Sequence, residues 1–342
     1  MSQREHGGNI DHAAINFGHE SDDMLDLSTG ISPVAYPCGD ISAMSWQRLP
    51  TQSEMDQCLA AARRAYDVPP ELAIMAGSGT QSLLQAIPHL VTADGPVWIA
   101  GPTYNEHAPA WQVAGHDVTD TQTLPAAASS AVIVAPNNPT GDFAGDSIIS
   151  TAKALADRRG ILLIDGAFTT PSAANISAND DTSLMRQLAN QSNIIHLRSF
   201  GKFFGMAGLR LGFAIGPSDI IGALIKWAGP WAVNSAALSI GTIALDDTLW
   251  QQRHGRFMQQ QAGRLLVMME SHGFKIRGGT CLFLTIENAA ADDFHQHLAC
   301  AGIWVRKYAN WPNLLRFGVP ATDAEFARLE ETIKDWRSKV KQ

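Results

Sequence analysis

Along the chain, short continuous apolar runs alternate with longer segments of helical spacing. Val97-Trp98-Ile99-Ala100, Ala131-Val132-Ile133-Val134-Ala135, Ile161-Leu162-Leu163-Ile164-Asp165, Asn193-Ile194-Ile195-His196-Leu197-Arg198 and Leu211-Gly212-Phe213-Ala214-Ile215-Gly216 are too short for helices, which predicts buried strands. Ile74-Met75-Ala76 predicts a further short strand. Between them, Glu54–Tyr66 carries Met55, Leu59, Ala62 and Tyr66 on one helical face, and Ser82–Leu90 and Ser147–Arg159 read as helices. Apolar strands separated by helices predict an α/β fold with a mostly parallel sheet covered on both faces. Past about Trp231 the pattern changes. A long helix is expected over Leu249–Ser271, strands at Phe283–Ile286, Ile303–Arg306 and Leu314–Gly318, and helices at Asp293–Ala301 and Ala324–Lys339. That is a smaller α+β arrangement. The beginning of the chain is polar and turn-rich, an arm rather than a domain. The expected organisation is an arm over 1–45 packing on the site, a large α/β domain over 46–232 and a small α+β domain over 233–342.

Composition agrees with this division and narrows the partners. A chain of 342 residues is too long for one ordinary core, and 45% hydrophobic with 17% charged residues is a globular balance. A net charge of -8 argues against a nucleic-acid or anionic-membrane partner, so an anionic ligand must be held by local basic residues. Cys38, Cys58, Cys281 and Cys300 lack metal-ligand or CxxC spacing, which predicts reduced thiols and no metal site. The acidic start (Asp11, Glu20, Asp22, Asp23) has no apolar leader core, and no run approaches the roughly 18 apolar residues of a membrane span. A cytoplasmic protein is expected.

The polar clusters follow the predicted strands, where open α/β sheets form their ligand crevice. Ser199-Phe200-Gly201-Lys202 is followed by Arg210 eight residues after the lysine. Desolvation in a Gly-rich turn between apolar segments favours a neutral, nucleophilic lysine amine able to attack an aldehyde. A hydroxyl and a guanidinium beside it suit a phosphate dianion. These three side chains describe a seat for pyridoxal 5'-phosphate. Alone, the same stretch also reads as a glycine-rich connector with a surface lysine and a helix-capping serine. Gly77-Ser78-Gly79-Thr80-Gln81 offers backbone N–H groups to an anion at a helix start, but lacks the full dinucleotide fingerprint. By themselves, Asp165 reads equally as a cap, Asn138 as a turn former, Tyr104 as core and Arg316 as a solvated strand-end charge.

Taken together, in this order and over nearly the whole chain, these motifs resemble the PLP-dependent aminotransferase superfamily of the aspartate aminotransferase fold. The resemblance implies that Lys202 carries the cofactor. Ser199, Arg210, Gly79, Thr80 and Gln81 would hold its phosphate, Asp165 its ring nitrogen, Asn138 its phenolic oxygen, and Tyr104 would stack on the ring. Lys202, Asp165 and Tyr104 are thereby the expected catalytic residues, and Arg316 the clamp for a substrate α-carboxylate. His6-Gly7-Gly8-Asn9, Asp26-Leu27-Ser28-Thr29-Gly30 and Ser-Phe-Gly-Lys-Phe-Phe-Gly are most similar to the threonine-phosphate decarboxylases of cobalamin biosynthesis, with histidinol-phosphate aminotransferases as the near relatives. A small phosphorylated amino-acid substrate follows from that resemblance. Arg306 would bind its phosphate, and His6, Ser28, Thr29 and Asn138 would contribute. A homodimer is likewise implied by the resemblance. The sequence departs from the pattern at Phe168, where many relatives have Tyr, at Gly166, where Glu is usual, and at Leu49, where relatives often carry a Tyr that reaches the neighbouring subunit.

Overall fold

A computed structural model describes residues 7–340 apart from Ala93, Arg159 and 177–180. The chain groups into two compact units: 35–138 with 142–255, and the segment up to Val34 with Pro139–Gly141 and residues from Arg256 onward.

In the larger unit the apolar runs pair into a seven-stranded sheet. Its spatial order is Ala73–Gly77, Gly212–Gly216, Ile194–Ser199, Leu162–Gly166, Ser130–Val134, Val97–Ile99 and Val118–Thr119. Gly212–Gly216 runs antiparallel to both neighbours, and the remaining strands share one direction. Ser130–Val134, Leu162–Gly166 and Gly212–Gly216 are buried at every position, which is why they show no polar alternation.

Helices cover the faces. Gln52–Ala65 starts from a capping box in which the Thr51 hydroxyl accepts from the Glu54 amide and the Glu54 carboxylate accepts from the Thr51 amide. The helix expected from Ser82 begins at Gly79 and tightens to a 3₁₀ turn at Ile87–Leu90, where Pro88 has no N–H to continue the helical ladder. Gly145–Ala156 replaces the expected Ser147–Arg159, whose last residue lies outside those described. Helices Ser218–Ala228 and Ser235–Asp246 were not expected. The second buries Ala236, Ala237, Leu238, Ile240, Gly241, Ala244 and Leu245 and so has no amphipathic stripe to read.

In the smaller unit a five-stranded sheet has the order Leu25–Leu27, Ile303–Lys307, Leu314–Gly318, Phe283–Glu287, Lys275–Gly279. The first pair is parallel and the others antiparallel. Phe294 of helix Ala291–Cys300 and Trp336 of helix Asp323–Val340 pack their rings together with Phe274 and Phe317. Leu25–Leu27 is thus an edge strand of this sheet. The boundaries expected at 45/46 and 232/233 correspond here to unit changes at 34/35 and 255/256, the second within helix Thr248–Ser271. Helix Ser235–Asp246 packs on Gln52–Ala65, which places it with the larger unit. Among the described residues, no helix is long and apolar enough to cross a membrane, and no His/Cys/Asp/Glu group could hold a metal ion.

Candidate active site

Strands that share a direction bring their carboxyl ends to one edge of the larger sheet, and the reversed strand Gly212–Gly216 begins at that edge. Sequence continuity then places Gly79-Thr80-Gln81, Tyr104, Asn138 and Lys202 just beyond strand ends, Asp165 and Ser199 in the last residues of their strands, and Arg210 just before the reversed strand. All the cofactor residues expected from sequence lie along that edge.

The turn at Gly79 is lined by backbone and guanidinium. Gly79 has φ 75°, and a Cβ there would stand 2.8 Å from the Arg210 guanidinium. A Cβ on Gly212 would stand 2.5 Å from the Thr80 amide nitrogen. Arg210 itself is left-handed at φ 58°, and its guanidinium donates to the Ala207 carbonyl at 3.2 Å. A non-glycine residue tolerates this backbone at some cost, and such strain concentrates at functional positions. Ser199 precedes the short helix Phe200–Phe203, yet its hydroxyl makes no capping bond, so the capping reading has no support.

Asp165 is 5% exposed. His107 Nε2 lies 2.9 Å from its Oδ2, and the Ala167 amide donates to its Oδ1 at 2.9 Å. Burial pushes the carboxyl up, but the His107 hydrogen bond and charge, the Ala167 N–H and the Lys202 charge together hold it below the usual carboxylate range. His107 was not foreseen. It follows Tyr104 by three residues, and its ring meets the tyrosine edge-on with centroids 5.9 Å apart. A buried histidine three residues beyond a candidate stacking aromatic was the available signal. The Tyr104 hydroxyl donates to Gln81 Oε1 at 3.3 Å, and Gln81 Nε2 donates to the buried carboxylate of Glu106 at 3.4 Å.

The departures now have physical content. Phe168 lies under Lys202, whose Nζ is 4.6 Å from the ring centroid, so the position keeps the π face of the usual Tyr and lacks its hydroxyl. Gly166 faces the fully buried Arg198, and any Cβ there would collide with that guanidinium. Of the two adjacent asparagines, Asn137 ties loops together: its amide nitrogen donates to the Pro102 carbonyl at 2.8 Å and its Oδ1 accepts from Thr103 at 3.0 Å.

In the smaller unit, Arg306 and Arg316 stand directly opposite each other on antiparallel strands. Like charges in such cross-strand pairs are destabilising, so this pair points to function rather than to fold. Arg316 is 4% exposed, donates to the Ser28 carbonyl at 2.7 Å and lies 5.1 Å from the Phe283 ring centroid. Arg306 lies 5.2 Å from the Tyr308 ring centroid. Ser28 is buried; its hydroxyl donates to Asp26 and accepts from the Gly8 amide, each at 2.7 Å. The Trp304 indole donates to the Gly8 carbonyl at 3.2 Å, which ties the start of the chain to the same strand as Arg306. Thr29 is half-buried beside Gly8, whereas His6 lies outside the described residues.

A lysine amine, a buried ionised carboxylate, and a glycine turn closed by a guanidinium fit pyridoxal 5'-phosphate: an amine for the aldehyde, a partner for the ring nitrogen, donors for the phosphate. Sequence comparison agrees. The chain belongs to the aminotransferase class I and II family, whose model matches residues 44–333. It is 36% identical over 337 residues to the threonine-phosphate decarboxylase of Pseudomonas aeruginosa and 34% identical over 332 residues to that of a Sinorhizobium species. Each alignment covers 96% of this chain and 97% of the relative. A histidinol-phosphate aminotransferase of Rhodospirillum centenum is 30% identical over 59% of this chain and 56% of its own length. Among solved structures, histidinol-phosphate aminotransferase from Sinorhizobium meliloti in complex with pyridoxal-5'-phosphate superposes with a TM-score of 0.78 at 17% identity, covering 98% of this chain and 96% of that one.

Proposed function

We propose that this chain is a PLP-dependent lyase that decarboxylates L-threonine O-3-phosphate to (R)-1-amino-2-propanol O-2-phosphate in cobalamin biosynthesis. The observation that carries the reading is the similarity over 96% of the chain to two enzymes named threonine-phosphate decarboxylase. The opposed Arg306–Arg316 pair supports it, because this substrate carries two anionic groups.

When bound, pyridoxal 5'-phosphate supplies an electron sink for the pair left on the substrate's α-carbon as CO₂ departs. Lys202 Nζ is the amine that anchors the cofactor, and in its protonated form it returns a proton to the α-carbon. Asp165 stays ionised at neutral pH through His107 and Ala167, and so holds a proton on the ring nitrogen. Arg210, Ser199 and the Gly79-Thr80-Gln81 amides bind the cofactor phosphate, while Asn138 donates to its phenolic oxygen. Arg316 clamps the substrate carboxylate and Arg306 its phosphate, with Ser28, Thr29 and His6 on the arm contributing. The orientation these two arginines impose about the Cα–N bond selects loss of CO₂ over loss of the α-proton.

The alternative, a histidinol-phosphate aminotransferase, is favoured by the partial similarity to the Rhodospirillum enzyme. Incubating the purified holoenzyme with L-threonine O-3-phosphate, without any oxo-acid, separates the two. Sustained CO₂ and aminopropanol phosphate over many turnovers is the expected result. Amino transfer from histidinol phosphate to 2-oxoglutarate, with no CO₂, would overturn the decarboxylase. A cytoplasmic homodimer completes the reading. Exposed Trp46, Leu49, Trp231 and Leu249 support a buried interface, and unpaired cysteines support a reducing compartment.

A further inference from the structure

Asn138 sits between two residues that are each held, and by different parts of the molecule. On one side, the Asn137 amide donates to the Asp142 carbonyl at 2.8 Å and pinches the loop at its base, while the Asn137 side chain reaches Pro102 and Thr103. On the other side, Pro139, Thr140 and Gly141 are built into the smaller unit, although Asn138 and Asp142 belong to the larger. There the Thr285 hydroxyl donates to the Pro139 carbonyl at 2.6 Å. Gly141, at φ 76°, lies so close to strand Lys275–Gly279 that a Cβ on it would stand 2.6 Å from the Gly279 amide nitrogen.

The residue types make this hold specific. Proline has a fixed φ and no N–H, so its carbonyl is the hydrogen-bonding group its backbone offers. The residue before a proline is confined to extended conformations. Holding the Pro139 carbonyl therefore restricts Asn138 directly. Thr285 is the polar member of Phe283-Leu284-Thr285-Ile286, a run buried at every position. Valine has nearly the same shape and no hydroxyl to desolvate, so the hydroxyl is unfavourable there unless it is bonded. Thr285 also stands opposite Arg316 in the sheet, so its side chain shares the face that carries that arginine.

On the reading of Asn138 as the donor to the cofactor's phenolic oxygen, we infer that Thr285 is its positioning residue. The Thr285 hydroxyl anchors Pro139 to the sheet that bears Arg316 and so sets where the Asn138 amide points. Thr285 acts through Asn138, and no bond-breaking step passes through it.

A donor at the phenolic oxygen stabilises its ionised form, so it lowers the pH at which the absorbance of the lysine-bound cofactor changes. The test is a spectroscopic pH titration of the holoenzyme with no substrate present. Asn138→Ala raises the midpoint by about one pH unit, and Thr285→Val raises it by about half a unit. Thr285→Ser keeps the hydroxyl and leaves the midpoint where it is in the wild type. Added to Asn138→Ala, Thr285→Val moves the midpoint no further, because the two substitutions remove the same contact. A merely structural threonine would lower thermal stability without moving the midpoint. An unmoved midpoint in Thr285→Val, with that of Asn138→Ala displaced, would overturn the inference alone, as would shifts that add in the double variant. An unmoved midpoint in Asn138→Ala would remove the reading of Asn138 and the inference with it. Should Thr285→Val fail to retain cofactor, Gly141→Ala, which pushes the same tripeptide off its strand, is titrated in its place, and an unmoved midpoint there overturns the inference. A wild-type enzyme that leaves L-threonine O-3-phosphate intact would sink the proposed function alone, since the titration needs no substrate.

Discussion

Asp165 in the larger unit and Arg316 in the smaller are equally buried, at 5% and 4% exposed, yet their charges are met in different ways. The carboxylate receives an imidazole, a backbone N–H and the field of a lysine. The guanidinium receives a carbonyl and a ring, and faces a second arginine across the sheet. A buried charge costs stability unless it is compensated. The cofactor edge therefore carries its compensation within the protein and is ready before any substrate binds. Arg306 and Arg316 instead stand opposite each other on neighbouring strands, where the proposed dianionic substrate would bind. On the proposed function, one region would hold a resident group and the other would receive a visitor.

Three substitutions press on that contrast. Lys202→Ala removes the cofactor's anchor together with a proton carrier worth roughly 10²–10⁴-fold by itself, so turnover falls to background. The absorbance of the lysine-bound cofactor disappears with it, and a variant that kept either property would sink the central assignment. Arg316→Gln strikes the other region. Truncating a buried charged anchor costs about 2–5 kcal/mol, so kcat/KM falls by roughly 30-fold or more while the cofactor spectrum persists. Loss of the spectrum in that variant would show that the two regions are not separable. His107→Phe gives the smallest effect, about 1–3 kcal/mol of stability from a buried carboxylate deprived of its partner. Because the folded pKa of Asp165 lies below its unfolded value, its ionised form stabilises the protein above about pH 3.9, and that contribution is lost as pH falls through the folded pKa. Without His107 the burial of Asp165 is less opposed, so the acid limb of cofactor retention moves to higher pH. Titrations of the two proteins that coincide would remove His107 from the account.

Much of this was readable in the chain, and what escaped has identifiable causes. The buried strands announced themselves because continuous apolar runs leave few alternatives, and Leu314–Gly318 is found at its expected bounds. Direction was not readable. Nothing in Gly212–Gly216 distinguishes a reversed strand from a parallel one, since both are buried on both faces. Leu25–Leu27 is too short to show a period, and its place as an edge strand depends on residues nearly three hundred positions away. Lys202, Arg210 and Asp165 were singled out by the resemblance of their motifs to the aminotransferase pattern, since by itself Asp165 reads equally as a cap. His107 was missed because a buried histidine looks like core until a partner is seen across the fold.

The reversal of Gly212–Gly216 also bears on how the protein assembles. Parallel neighbours such as Leu162–Gly166 and Ile194–Ser199 can meet only after a long crossover closes. Ile194–Ser199 and Gly212–Gly216 are joined by the short connection that holds Lys202 and Arg210, and they pair antiparallel. Closing a short loop carries a smaller entropic cost than closing a long one, and contacts of low sequence separation form fastest. Lys202 and Arg210 thus lie in one connection between two strands that pair locally, at a stage that need not wait for the rest of the sheet.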